Sequence, residues 1–147
     1  GLPATGKGLD RALYATFLSY KKTEDFTYKL KENIDNRGKF VELFQTTNSG
    51  QFSYFTSKPG VTRGLHYHHT KNEKFIVVKG KARFNYRNLE SNKKYSISVN
   101  ESKTTVVETI PGWVHSVTNT GSQDLIVMLW ANENFDIKKP DTYPDKI

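Results

Sequence analysis

The sequence predicts an all-β protein, a sandwich or barrel of short strands behind a single N-terminal helix, and three observations carry that prediction. From Phe40 onward, nine short segments of alternating or uninterrupted apolar character are separated by turn residues, as expected of strands that pair. Aromatics are plentiful, with 9 Phe and 8 Tyr, and leucine does not dominate, a bias that suits pleated surfaces better than a helical bundle. The 147 residues suit one domain around one core.

Leu9 to Tyr20 is the one convincing helix, because Leu9, Leu13, Phe17 and Tyr20 recur at helical spacing; this stripe is expected to serve packing. Strands are expected at 40–46, 51–56, 65–68, 74–78, 82–88, 95–99, 104–109, 116–119 and 125–131, with Asn48-Ser49-Gly50 and Thr120-Gly121-Ser122 as turns. The stretch from Lys138 to Ile147, with Pro140 and Pro144, reads as an exposed or edge-following tail. No apolar run is long enough to span a membrane, and no signal-peptide pattern is present. With zero cysteines, disulfides and thiolate ligands are excluded.

The chemistry concentrates in Gly60 to Gly80, GVTRGLHYHHTKNEKFIVVKG. In an extended strand His66 and His68, two apart, point to the same side. Glu73 follows as a third converging ligand and His115, in Gly112-Trp113-Val114-His115, is a fourth. Three of the chain's 4 histidines fall in this set. Three imidazoles and one carboxylate suit a divalent metal, with zinc, manganese, iron, nickel and cobalt all chemically acceptable.

The net charge of +7 is unevenly placed. Lys58, Arg63, Lys71, Lys74, Lys79, Lys81, Arg83 and Arg87 surround the histidine motif with only Glu73 to oppose them, while the rest of the chain is balanced. A basic pocket rim of this kind predicts an anionic ligand, with two or three of these cations touching it and the others solvated. The aromatics here alternate at strand spacing and no nucleic-acid-binding signature appears, so nucleic acid is not the expected partner.

The glycine-framed His-x-His…Glu…His pattern resembles the two motifs of the cupin superfamily, double-stranded β-helix or jelly-roll barrels that often hold a metal. The second motif departs from the family pattern in having Pro111 directly before Gly112. Asp35-Asn36-Arg37-Gly38-Lys39-Phe40-Val41-Glu42, then Arg63-Gly64-Leu65-His66-Tyr67, then Lys74 and Gly80, are similar in order to segments of the dTDP-4-keto-6-deoxyhexose 3,5-epimerases. LDRALYATFLSY, TRGLHYHHTKNEKF and the closing PDTYP resemble the C-terminal cupin domain of the CapF-type capsular polysaccharide enzymes, which join a nicotinamide-dependent reductase to a cupin epimerase.

The resemblance implies residues 1–22 as helix and linker, the end of an absent reductase domain, and residues 23–147 as the cupin domain; no G-x-G-x-x-G loop occurs in the chain. It further implies a cytoplasmic, homodimeric enzyme that epimerises C3, beside the ketone, of a UDP-linked 4-keto-6-deoxy-N-acetylhexosamine, with zinc as the favoured metal. Arg63, Arg37, Glu42 and Gln51 are then the substrate contacts and Lys74 the proton-transfer or oxyanion group; Tyr54 and His69 are weaker candidates. His66 is pulled two ways, since the matching histidine of the metal-free epimerases is the catalytic base, and a ring nitrogen bound to metal cannot take a proton. The tyrosine acid of those epimerases falls near Trp130, which has no acidic group. Two other readings remain open: a metal-dependent cupin oxygenase or isomerase of a small anion, and a non-catalytic nucleotide-sugar-binding domain.

Overall fold

The computed structural model describes all 147 residues as one helix, α1 (Gly8–Ser19), a short 3-10 turn (Thr23–Phe26), and eleven strands. These are β1 (Glu32–Asp35), β2 (Gly38–Gln45), β3 (Gln51–Ser57), β4 (Thr62–Tyr67), β5 (Glu73–Lys79), β6 (Lys81–Asn88), β7 (Lys94–Asn100), β8 (Val106–Thr109), β9 (Trp113–Asn119), β10 (Leu125–Ala131) and β11 (Tyr143–Pro144). They form two antiparallel sheets, in the orders β1-β2-β3-β10-β5-β8 and β11-β4-β9-β6-β7, as a jelly roll requires. No helix is long and apolar enough to cross a membrane.

Alternation builds the interior. On β3, β5, β6 and β10 every second residue is buried, so Phe55, Phe75, Val77, Ala82, Phe84, Tyr86, Val127 and Leu129 meet between the sheets with Val107, Val117 and Leu125. The chain crosses from one sheet to the other at Gly80, whose φ of 95° lies in the left-handed region that favours glycine. All nine expected strands form, within a few residues of their expected ends. The two that the sequence pattern does not reveal are β1, whose four residues are all exposed, and the two-residue β11.

The helix forms where its periodicity predicts, but its stripe does not pack within this chain. Leu9, Leu13, Phe17 and Tyr20 are all exposed, and no residue of α1 is buried. Helical spacing reports that a face is apolar and leaves open what covers it.

Candidate metal centre

Three strands, β4, β5 and β9, bring the expected ligands together. His66 closes β4, His115 lies opposite it in the β4–β9 register, Glu73 opens β5, and His68 lies just past β4. Their ligand atoms all lie within 4.8 Å of one another, and His68, Glu73 and His115 are buried. The three imidazole rings pack at centroid distances of 4.7 to 5.1 Å.

A β-bulge makes this convergence compatible with Arg63. Strict alternation would put Arg63 and His66, three apart, on opposite faces. The pairing of β4 with β9 slips between Gly64 and His66, and Leu65 adopts a φ of 62°, so the extra residue lets both side chains face the same cavity. Gly64 is required there, since a Cβ on it would lie 2.9 Å from the carbonyl oxygen of His115.

The donor chemistry fits a metal. His68 Nδ1 lies 2.6 Å from the carbonyl oxygen of Asp141, which can only accept, so Nδ1 carries the hydrogen. In the neutral ring Nε2 is then a lone pair, and it faces the Glu73 carboxylate at 3.3 Å. Two acceptors turned toward each other require a cation or a proton between them. His115 Nε2 is 3.4 Å from the same carboxylate oxygen, yet neither of its buried ring nitrogens makes a hydrogen bond. Thr109, fully buried on β8, donates its hydroxyl to Glu73 at 3.1 Å and fixes the carboxylate from behind.

Electrostatics prepare the same donors. Burial, then the neighbouring His115 and His68, push His66 down to about 3, so its ring is neutral over the physiological range. Burial opposes the charge of Glu73, and what outweighs it is positive charge on the His115 and His68 side, a proton or a metal ion, which holds the carboxyl well below the usual range. An unprotonated imidazole and an ionised carboxylate are the states that metal binding needs.

Two cavities meet this cluster. One, of about 200 Å³, is lined by Phe40, Phe55, Phe75 and Phe84 with His66, Glu73 and His115, and carries Arg63 and Arg37 on its wall. Arg63 is largely buried against the Phe55 ring and donates through Nε to Thr56 O, while its Nη2 has no hydrogen-bond partner. Arg37 is held by Asp35 in a 2.5 Å ion pair, and that pair lowers Asp35 to about 2. The second, of about 460 Å³, is bounded by His66, His68 and Glu73 and lined by Glu42, Gln51, Glu133 and Lys71.

Lys74 does not join the cluster. It follows Glu73 on β5, so the alternation that turns Glu73 inward turns Lys74 outward, where it pairs with Glu108 beside Phe52, Ile76, Met128 and Trp130. Tyr54 lies under the Lys39 ammonium, away from the cavities, and His69 packs on Tyr67 and Tyr143. Trp130 anchors its indole N–H to Ser49 O.

The basic rim is redistributed in the same way. Of its eight cations, Arg63 and Lys71 line the cavities, Lys58, Lys79, Lys81 and Arg83 are exposed elsewhere, and Arg87 is held by Asp145. Lys71, expected only as one of eight rim cations, is buried, with Nζ bonded to Pro140 O at 3.3 Å and Thr142 Oγ1 at 3.1 Å. Asp141 falls in the PDTYP segment that carries the resemblance, while Thr109 has no signal of its own in the sequence.

Comparison with known proteins identifies the family and the fold. Residues 33–143 match the family model described as polysaccharide biosynthesis C-terminal domain. The chain is 55% identical over 138 residues, 94% of its length, to UDP-2-acetamido-2,6-beta-L-arabino-hexul-4-ose reductase of Pseudomonas aeruginosa, and covers 37% of that protein. It superposes with a TM-score of 0.94 and 41% identity on the capsular polysaccharide assembling protein CapF of Staphylococcus aureus, over 99% of this chain and 40% of that one. Oxalate decarboxylase of Bacillus subtilis shares the fold alone, with a TM-score of 0.64 and 18% identity over 79% of this chain and 30% of that one. The chain thus spans about two fifths of the length of the reductase and of CapF.

Proposed function

The chain belongs to the polysaccharide biosynthesis C-terminal domain family, and from that premise we propose that it epimerises C3 of a UDP-linked 4-keto-6-deoxy-N-acetylhexosamine in the synthesis of a surface-polysaccharide precursor. In the full-length protein it accompanies a reductase domain, within a cytoplasmic homodimer. The observation that carries the proposal is the convergence of His66, His68, Glu73 and His115 on cavities that also present Arg63 and Lys71.

Inversion beside a ketone requires removal of a weakly acidic C–H proton and stabilisation of the oxygen that gathers the charge. His66, His68, Glu73 and His115 would hold a divalent metal, zinc by preference, which when bound would supply Lewis acidity in this cavity. Lys71 adds a fixed ammonium on the wall of the same cavity, anchored by Pro140 and Thr142, and takes the oxyanion role first expected of Lys74. Arg63 and Arg37 offer guanidinium groups to the diphosphate. Glu42 and Gln51 face the second cavity, where on this reading they orient the sugar; the Glu42 carboxylate takes the C3 proton, and inversion is completed when solvent water returns a proton to the opposite face of the enolate carbon. His66 acts as a ligand: a neutral ring whose proton affinity is pushed down to about 3 is a poor general base at neutral pH.

The test is solvent exchange. With the 4-keto sugar in deuterated buffer, the zinc-loaded protein is expected to place deuterium at C3 and to lose that activity on chelation. Failure of the loaded protein to exchange would leave sugar-nucleotide binding as its only role.

A further inference from the structure

The four residues Pro140–Tyr143 lie some seventy positions from the histidine motif, yet they are joined to it by a dense set of polar contacts. The Asp141 carboxylate accepts the backbone N–H groups of His69 at 2.9 Å, Thr70 at 2.9 Å and Lys71 at 2.8 Å, with the Thr70 hydroxyl at 3.1 Å. Its own carbonyl oxygen lies 2.6 Å from His68 Nδ1. On one side Pro140 and Thr142 hold the Lys71 ammonium, and on the other Tyr143 pairs with Tyr67 and stacks on its ring at 5.3 Å. Asp141 adopts a φ of 41°, which aims the carboxylate and the carbonyl at the same loop.

We propose that Pro140–Tyr143 is a working part of the metal centre, and that Asp141 is a positioning residue which sets the tautomer and orientation of His68 and holds Lys71 at the cavity. The proposal rests on the metal reading given above. An imidazole that donates through Nδ1 to a carbonyl presents Nε2 to the metal in one orientation, and such outer partners are typically worth ~10–100-fold in metal affinity. His68 is the ligand that needs this support, because it lies beyond the end of β4, in a loop where no strand pairing fixes it, whereas His66 and His115 are held by their register. The Asp141 carboxylate can hold that loop because it accepts three successive backbone N–H groups and the Thr70 hydroxyl from it.

The variants are Asp141→Gly, which keeps the left-handed backbone and removes the carboxylate, and Asp141→Asn, which keeps one acceptor oxygen. Circular dichroism establishes that each is folded. In the metal-free state, ¹⁵N imidazole shifts of wild type are expected to show His68 protonated at Nδ1 alone, and Asp141→Gly to show mixed tautomers. Cobalt(II) titration is expected to weaken about 10–100-fold in Asp141→Gly, less in Asp141→Asn, with altered visible bands. Wild-type shifts and wild-type cobalt affinity in a folded Asp141→Gly protein would overturn the positioning role alone. A wild-type protein that takes up no cobalt would overturn the metal reading and the proposal with it.

Discussion

Glu73 and Lys74 are neighbours in the chain and occupy different surroundings. Glu73 is buried among three imidazoles and a threonine hydroxyl, whereas Lys74 stands about half exposed on the other side of the sheet with a surface glutamate. The same contrast holds for Arg63 against Lys81 and Arg83: similar charges, one beside the histidine cluster and two in solvent. The difference teaches that function in this fold is divided by sheet face before it is divided by residue type. On the strands a charge contributes to the site only if the pleat turns it inward, and a bulge such as that at Leu65 changes which residues qualify; Arg37 and Lys71 reach the cavities from loops.

That contrast can be broken by substitution. The largest effect is expected from Glu73→Gln, which leaves the shape and removes the charge that faces His68 and His115; C3 exchange should fall by about 10³-fold, the upper range for one positioned electrostatic group, and zinc content measured after dialysis should fall with it. Gly64→Ala should follow, because a Cβ would press on the His115 carbonyl at 2.9 Å and on Ser116 Cα at 3.1 Å from a left-handed backbone. A loss of about 3 kcal/mol or more in urea unfolding is expected, and a loss below about 0.5 kcal/mol would refute the bulge as drawn.

Lys71→Met should leave metal content intact and lower exchange about 10²-fold, as for loss of one oxyanion donor. A smaller effect is expected with pH. His66 is pushed down to about 3 in the fold, while an unfolded histidine titrates near 6.5. The unfolded chain therefore binds the extra proton between those values, and stability of the metal-free protein should fall as pH drops from about 6.5 toward 3, by at most about 1.4 kcal/mol per pH unit. Urea midpoints for His66→Asn should show a shallower decline. The smallest effect belongs to Lys74→Ala: its exposed ion pair should be worth under about 1 kcal/mol, with exchange nearly unchanged.

Much of this was legible from side-chain alternation. The nine strand segments and the shared side of His66 and His68 follow from a period of two, which the backbone enforces locally, and the glycine frame follows from turns whose positive φ only glycine adopts freely. Glu73 as a ligand and Lys74 as a catalytic group were incompatible under that same period. Lys74 is implied by the resemblance alone. What local pattern cannot carry is contact across sequence distance. Asp141, joined to His68 from the far end of the chain, and Thr109, behind Glu73 on another strand, become visible only once the sheets are assembled. The helical stripe at Leu9, Leu13 and Phe17 shows the converse, a strong local signal with no partner in this chain.

The division between the two faces is tested most directly by C3 deuterium uptake in the zinc-loaded protein, with Lys71→Met and Lys74→Ala compared side by side by proton NMR of the sugar. Inner-face function predicts rapid uptake by wild type and by Lys74→Ala, with uptake about 10²-fold slower in Lys71→Met. Loss of uptake in Lys74→Ala with wild-type uptake in Lys71→Met would contradict it.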